Sequence, residues 1–192
     1  MSGFINNGLP QLGSLDGTEL VNIDTQNVAG ENPESGCVTT LNLAVMLQAL
    51  GVTVDKTTVA GSRYYVSYTV GVQTQFTGVQ AKIGSTGGTD KFIFELHNAA
   101  GVLVATTALA GVTVGTANTF QRIPFTAPYL AAAGNYFIAV QSNGTTAKLA
   151  VLDAPSLGVF TGSATGVFGT SASITPPTTY TADLGPVVSL YQ

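Results

Sequence analysis

The residue pair most able to do chemistry is Glu95 and His97, a carboxylate and the chain's one histidine two positions apart. In a strand that spacing puts both on one face, where such a pair serves acid–base chemistry or contributes two metal ligands. Two ligands on one strand make a weak site. Lys91 falls on the same face, so the expectation is a mixed-charge solvent face or a subunit contact. Asp16, Glu19 and Asp24 are the densest acidic group. Their spacing does not match an EF-hand loop, Leu20, Val21 and Ile23 interleave as strand residues, and Asp16-Gly17 reads as a turn. Asp90, Asp153 and Asp183 are further oxygen donors for calcium, with nothing in their spacing to single them out.

Other chemistries fare worse. The serines include no Gly-x-Ser-x-Gly elbow, and no nucleophile partner is identifiable for His97. Gly84-Ser-Thr-Gly-Gly-Thr89 has the glycine content of a phosphate cradle but lacks the Lys-Ser/Thr and helix that a P-loop needs, so it reads as a turn between strands. Cys37 is the one cysteine, which precludes an internal disulfide; it reads as a small buried or half-buried hydrophobe. Tryptophan is absent. Tyr64, Tyr65 and Tyr68 occupy both faces of one expected strand, and Tyr129, Tyr136, Tyr180 and Tyr191 are dispersed, so a sugar-stacking platform rests on fold analogy alone. No catalytic residue, metal ligand or cofactor-binding residue is nominated.

Composition narrows the partners. Only 8% of the 192 residues are charged, against about 25% in average domains, so Thr, Ser, Asn, Gln and Gly must supply the polar surface. The six basic residues are scattered and the net charge is −4. Neither nucleic acid nor an anionic membrane surface is an expected partner. Apolar runs such as Leu43 to Leu50 are far shorter than the ~20 residues of a membrane span. Met1 to Gly8 does not resemble a secretory signal, which points to synthesis in the cytoplasm.

The elements that would carry these residues fall into three stretches. Residues 1–50 read as an attachment segment: an arm to Ser14 with isolated Phe4, Ile5, Leu9 and Leu12, then a small strand–helix unit. In that unit Thr39 or Thr40 caps a helix whose Leu43, Met46, Leu47 and Leu50 share one face, with Gly51 as the stop. Residues 51–62 read as a linker. Residues 63–192 alternate with period two, giving expected strands at 63–72, 76–84, 91–98, 102–107, 119–125, 135–142, 146–152 and 187–191. Asn143-Gly144 predicts a type I′ hairpin, and Asn98-Ala-Ala-Gly101 another tight connection. Phe92, Phe94 and Leu96 mark a core face. The stretch from Phe160 to Thr181, with Pro176-Pro177, predicts a long loop over one end of the domain. The fold class expected is all-β, a jelly-roll-like two-sheet sandwich preceded by the arm and the strand–helix unit.

Two groups of residues carry a resemblance. Leu15-Asp-Gly-Thr-Glu-Leu-Val, followed by Val38-Thr-Thr-Leu-Asn-Leu-Ala, is similar to a short module near the N-termini of tailed-bacteriophage structural proteins. Gly84 to Asp90, Glu95-Leu-His-Asn98, Tyr136 to Gly144 and Thr161 to Gly169 resemble the β-sandwich domains of phage head-decoration and fibre-like proteins. The resemblance implies virion localisation, self-association often as trimers, and no catalysis. The function expected is that of a capsid decoration protein, held to the major capsid protein or another virion protein by Phe4, Ile5, Leu9 and Leu12. The alternative is a receptor- or glycan-binding module of a tail or head fibre, with Gly84 to Thr89 and Phe160 to Thr179 forming a shared binding end.

Overall fold

The longer strands form where apolar residues alternate along the chain, as in Lys91–Asn98 and Thr74–Lys82. A computed structural model describes residues 53–153 and 159–192, and every regular element among them is a strand. The anchor candidates Phe4, Ile5, Leu9 and Leu12, the acids Asp16, Glu19 and Asp24, the strand–helix unit and Cys37 lie outside the described residues. In chain order the strands are β1 (Thr53–Thr57), β2 (Ser62–Val70), β3 (Thr74–Lys82), β4 (Lys91–Asn98), β5 (Leu103–Thr106) and β6 (Val112–Thr113). They continue as β7 (Phe120–Ala131), β8 (Gly134–Ser142), β9 (Lys148–Leu152), β10 (Thr161–Thr165), β11 (Gly185–Pro186) and β12 (Val188–Tyr191).

All pairings are antiparallel and form three sheets. The largest runs β10-β2-β8-β4-β5, with β6 also on β4; the others run β12-β3-β7 and β1-β9-β11. Single bridges join the sheets at their rims, Thr107 to Phe125 and Ile83 to Leu149. One apolar cluster is shared by all three: Phe92, Phe94, Leu96 and Ile138 from the largest sheet, Val79, Ala81 and Ile123 from the second, Leu149 and Val151 from the third. The architecture is therefore all-β and sandwich-like, as the period-two pattern predicts, but built of three sheets where two were expected.

Three local expectations change. Thr53–Thr57, inside the stretch read as linker, is β1, paired along β9 from Thr53 opposite Leu152 to Thr57 opposite Lys148. Asp55 and Lys56 disguise it, since an outer strand tolerates charge where a central one does not.

Asn143-Gly144 is not a type I′ hairpin. Its flanking strands β8 and β9 belong to different sheets, and neither residue has positive φ. Instead the Lys91 N–H donates to Asn143 Oδ1 at 2.7 Å, and Asp90 Oδ2 accepts from the Thr146 and Ala147 amides at 2.8 and 2.7 Å. A Cβ at Gly144 would sit 2.1 Å from Asp90 Oδ1, so close approach requires the glycine and not a left-handed turn. Asn98 to Gly101, by contrast, is the expected tight turn. Gly101 has φ +80°, its N–H donates to the Asn98 carbonyl at 2.9 Å, and Asn98 Oδ1 accepts from the amides of Ala100 and Val102.

The third change concerns residues 160–181, which do not cap an end of the domain. Thr161–Thr165 joins the largest sheet as β10, and residues 166–177 then cross the outer faces of β2, β8 and β4 as a strap. The strap reaches the β4–β5 turn, where the Ile174 N–H donates to the Gly101 carbonyl at 2.9 Å, and the chain returns to β10 through Thr161 N–H to the Thr179 carbonyl.

Candidate functional site

Under the strap lies a cluster of ionisable side chains. Strand register explains how it assembles. Arg63 of β2 lies opposite Gln141 of β8, which lies opposite Ile93 of β4; the next row on that face is Tyr65, Ala139 and Glu95, and the next Ser67, Phe137 and His97. Glu95 stands two strands from Arg63, about 10 Å at ordinary strand spacing. The small Ala139 between them leaves room for the long arginine side chain to reach over.

The geometry is that of a sealed ion pair. Arg63 Nε lies 3.0 Å from Glu95 Oε2, with side-chain exposures of 5% and 0%. Gln141 Nε2 donates to Glu95 Oε1 at 2.7 Å and to the Thr170 carbonyl at 2.9 Å. Arg63 Nη2 donates to the same carbonyl at 3.3 Å and to Glu95 Oε1 at 3.4 Å. His97 Nε2 is 3.1 Å from the Ala172 carbonyl and 3.6 Å from Glu95 Oε2. The carbonyl accepts only from a protonated nitrogen, so the neutral ring carries its proton on Nε2. Ile174 of the strap packs beside the cluster with Tyr65, Phe137 and Ala139.

Burial dominates the electrostatics. Loss of water raises the Glu95 carboxyl above its ordinary range, and the Arg63 charge pulls it back only in part. Burial lowers His97, opposed by its bond to the Ala172 carbonyl and reinforced by Arg63. Burial also raises the Tyr65 phenol. His97 is thus held neutral beside an Arg–Glu pair. Arg, Glu, His and Gln would suit acid–base chemistry in an open cleft. Here the N–H groups of Arg63, Gln141 and His97 are aimed instead at main-chain carbonyls of the strap, those of Thr170 and Ala172.

This overturns the expectation of a solvent face or subunit contact for Glu95 and His97: both are fully buried by the chain's own strap. Lys91 instead contributes its amide to Asn143 at the start of the strand. Arg63 and Gln141 escape sequence reasoning because neither lies near Glu95 in the chain. The one signal is Gln141 closing the otherwise apolar run Tyr136 to Val140.

The other candidates are scattered. Asp90 is engaged with the 143–147 connection, as described above. Asp183 has φ +61° and donates its N–H to the Leu152 carbonyl, and with Asp153 it raises the Tyr180 phenol, after burial as the larger cause. No group of three or more His, Cys, Asp or Glu gathers for a metal ion among the described residues. Gly84 to Thr89 is tied to β1 and β9: the Ser85 N–H donates to the Asp55 carboxylate, Gly84 N–H to the Lys148 carbonyl and Lys148 N–H to the Thr86 carbonyl. The loops expected to share a binding end therefore pack on different sheets. Tyr64, Tyr65 and Tyr136 are buried and Tyr68, Tyr129, Tyr180 and Tyr191 half-buried, so no tyrosine lies open on the surface. Comparison with protein-family models, curated proteins and solved structures finds no match to this chain.

Proposed function

We propose that this protein is a non-enzymatic structural protein of a bacteriophage particle, most simply a capsid decoration protein. In this reading the arm and strand–helix unit of residues 1–50 attach it to the major capsid protein or another virion protein. The jelly-roll-like sandwich is displayed, and copies of the chain self-associate. The supporting observation is the strap-covered cluster: its acid, base and cation are committed to holding the chain's own cover, as befits a domain that presents a surface. Particle localisation rests on the resemblance of the Leu15–Val21 and Val38–Ala44 segments.

Imaging intact particles with labelled protein tests the localisation. Deleting residues 1–14, and with them Phe4, Ile5, Leu9 and Leu12, should release the protein from particles while its circular dichroism spectrum stays unchanged. Full occupancy after the deletion defeats the attachment role. Specific, saturable binding of the intact chain to a glycan array would replace this reading with the receptor-binding one.

A further inference from the structure

The outer strands of the sheets are not alike. β1 carries Asp55 and Lys56. β7 carries Arg122, Pro124 and Pro128, and its Phe125 is bridged to Thr107. Charge, proline and bridging are the devices that keep sheet edges from pairing with other chains. β10 has neither charge nor proline: it reads Thr-Gly-Ser-Ala-Thr, inside a stretch from Val159 to Ala182 without a charged residue, and its outer side is tied to residues 179–181 at the Thr161 end.

Hydrogen bonding shows which way its backbone faces. The Phe160 carbonyl accepts from Ser67 N–H at 2.8 Å, and Gly166 N–H donates to the Gly61 carbonyl at 2.8 Å, so even-numbered residues turn toward β2 and its preceding turn. Thr161 N–H points the other way, to Thr179. By the same alternation the N–H and C=O groups of Ser163 and Thr165 project outward. Residues 163–165 are exposed, and among the described residues β10 pairs only with β2. Exposed apolar side chains stand at both ends, Phe160 at 45% and Val167 at 67%.

We propose that β10 is a self-association edge, on which a second copy of this chain pairs antiparallel about a two-fold axis through Ala164. That register sets Ser163 of each copy opposite Thr165 of the other, so their outward groups exchange four N–H···O=C bonds and the small Ala164 side chains meet on the axis. A second copy fits this edge because an antiparallel pair is self-complementary. Two chains of net charge −4 also meet here through an uncharged stretch, without opposing like charges. The inference rests on the self-association in the proposed function and gives it a surface. An antiparallel edge pair is two-fold, so it builds a dimer and not the trimer that the resemblance implies.

Sedimentation velocity of the full chain across a concentration series tests it, with a dimer expected. Ser163→Pro and Thr165→Pro each remove an outward donor while leaving the ladder to β2 intact. Each variant loses two bonds per dimer and should associate about tenfold or more weakly, with an unchanged circular dichroism spectrum. Should proline disturb folding, a charged pair of variants replaces it: Ser163→Lys/Thr165→Lys and Ser163→Glu/Thr165→Glu should each be monomeric, and their equimolar mixture should recover the dimer. A wild-type chain that stays monomeric overturns both the edge and the self-association. An oligomer unmoved by all four variants overturns the edge and leaves self-association standing.

Discussion

Phe94 and Glu95 are neighbours in β4 and equally sealed from water, yet opposite kinds of cover seal them. Phe92, Phe94 and Leu96 face the other two sheets, whose backbone groups are engaged in their own ladders and which meet them with apolar side chains such as Val79, Ile123 and Leu149. Ile93, Glu95 and His97 face the strap, which forms no ladder and turns the carbonyls of Thr170 and Ala172 toward the sheet. A cover made of strands demands apolar neighbours; a cover made of loop demands donors. Arg63, Gln141 and His97 are those donors, and Glu95 is the counter-charge that lets Arg63 be buried. Polar alternation along a strand therefore has two meanings, water or an irregular segment of the same chain, and this domain carries the second.

The contrast is open to disruption on both sides, and the largest effect lies on the apolar face. Phe94→Ala removes a fully buried ring from the shared core and should cost about 4 kcal/mol in urea denaturation, within the usual range for such truncations. A loss under about 1 kcal/mol would show that the sheets do not pack on it. On the polar face Glu95→Ala should cost about 3 kcal/mol, because Arg63 would stay buried without its counter-charge. Here the two faces part company: replacing both partners, Arg63→Met with Glu95→Leu, should return stability close to wild type, since an apolar pair needs no partner. If the double variant is as unstable as Glu95→Ala, the ion pair does more than fill space under the strap.

A smaller change separates the cover from the core. Ile174→Ala removes the strap's apolar contact with Tyr65, Phe137 and Ala139 and should cost about 2 kcal/mol. Its signature is local: faster proteolysis within residues 166–177 and faster amide exchange of Ile174, with protection of the Phe92–Leu96 amides retained. Equal loss of protection on both faces would mean that strap and sandwich unfold as one unit.

Much of this fold is legible in the chain. Lys91–Asn98 is a strand as its alternation predicts, Phe92, Phe94 and Leu96 form its core face, and Asn98 to Gly101 turns as its residues require. The cluster is not legible, for a physical reason. Arg63, Glu95 and Gln141 meet only because β8 lies between β2 and β4, and side-chain patterning fixes the faces of a strand without fixing its neighbours. The strap misleads for a related reason: Gly, Ser, Thr and Pro mark irregular chain, but only Ile174 and two carbonyls tell which surface it covers. Asn143-Gly144 misleads because its hairpin signal is local, whereas Asp90, far away in the chain, sets its conformation.

The finest distinction between the faces is their response to acid, because only the strap-covered one titrates. Burial lowers His97 below its ordinary value of about 6.5. Between that value and the lowered one the unfolded chain binds the proton more readily, so this contribution to stability is present above about pH 6.5 and is lost as pH falls through the lowered value. Glu95 works in the opposite sense. Burial raises it, so its contribution is full below the ordinary carboxylate range, near pH 4.3, and is lost as pH rises through the raised value. Between about pH 4.3 and 6.5 the two contributions run in opposite senses, and wherever their transitions overlap the wild-type stability curve should be flattened. His97→Gln keeps an N–H able to reach the Ala172 carbonyl but removes the titration. Stability measured by urea denaturation across that window should then rise on acidification, with a slope change of at most about 1.4 kcal/mol per pH unit relative to wild type. Superimposable pH profiles for the two proteins would mean that His97 is not held neutral by its cover, and that the polar face is wetter than the strap geometry requires.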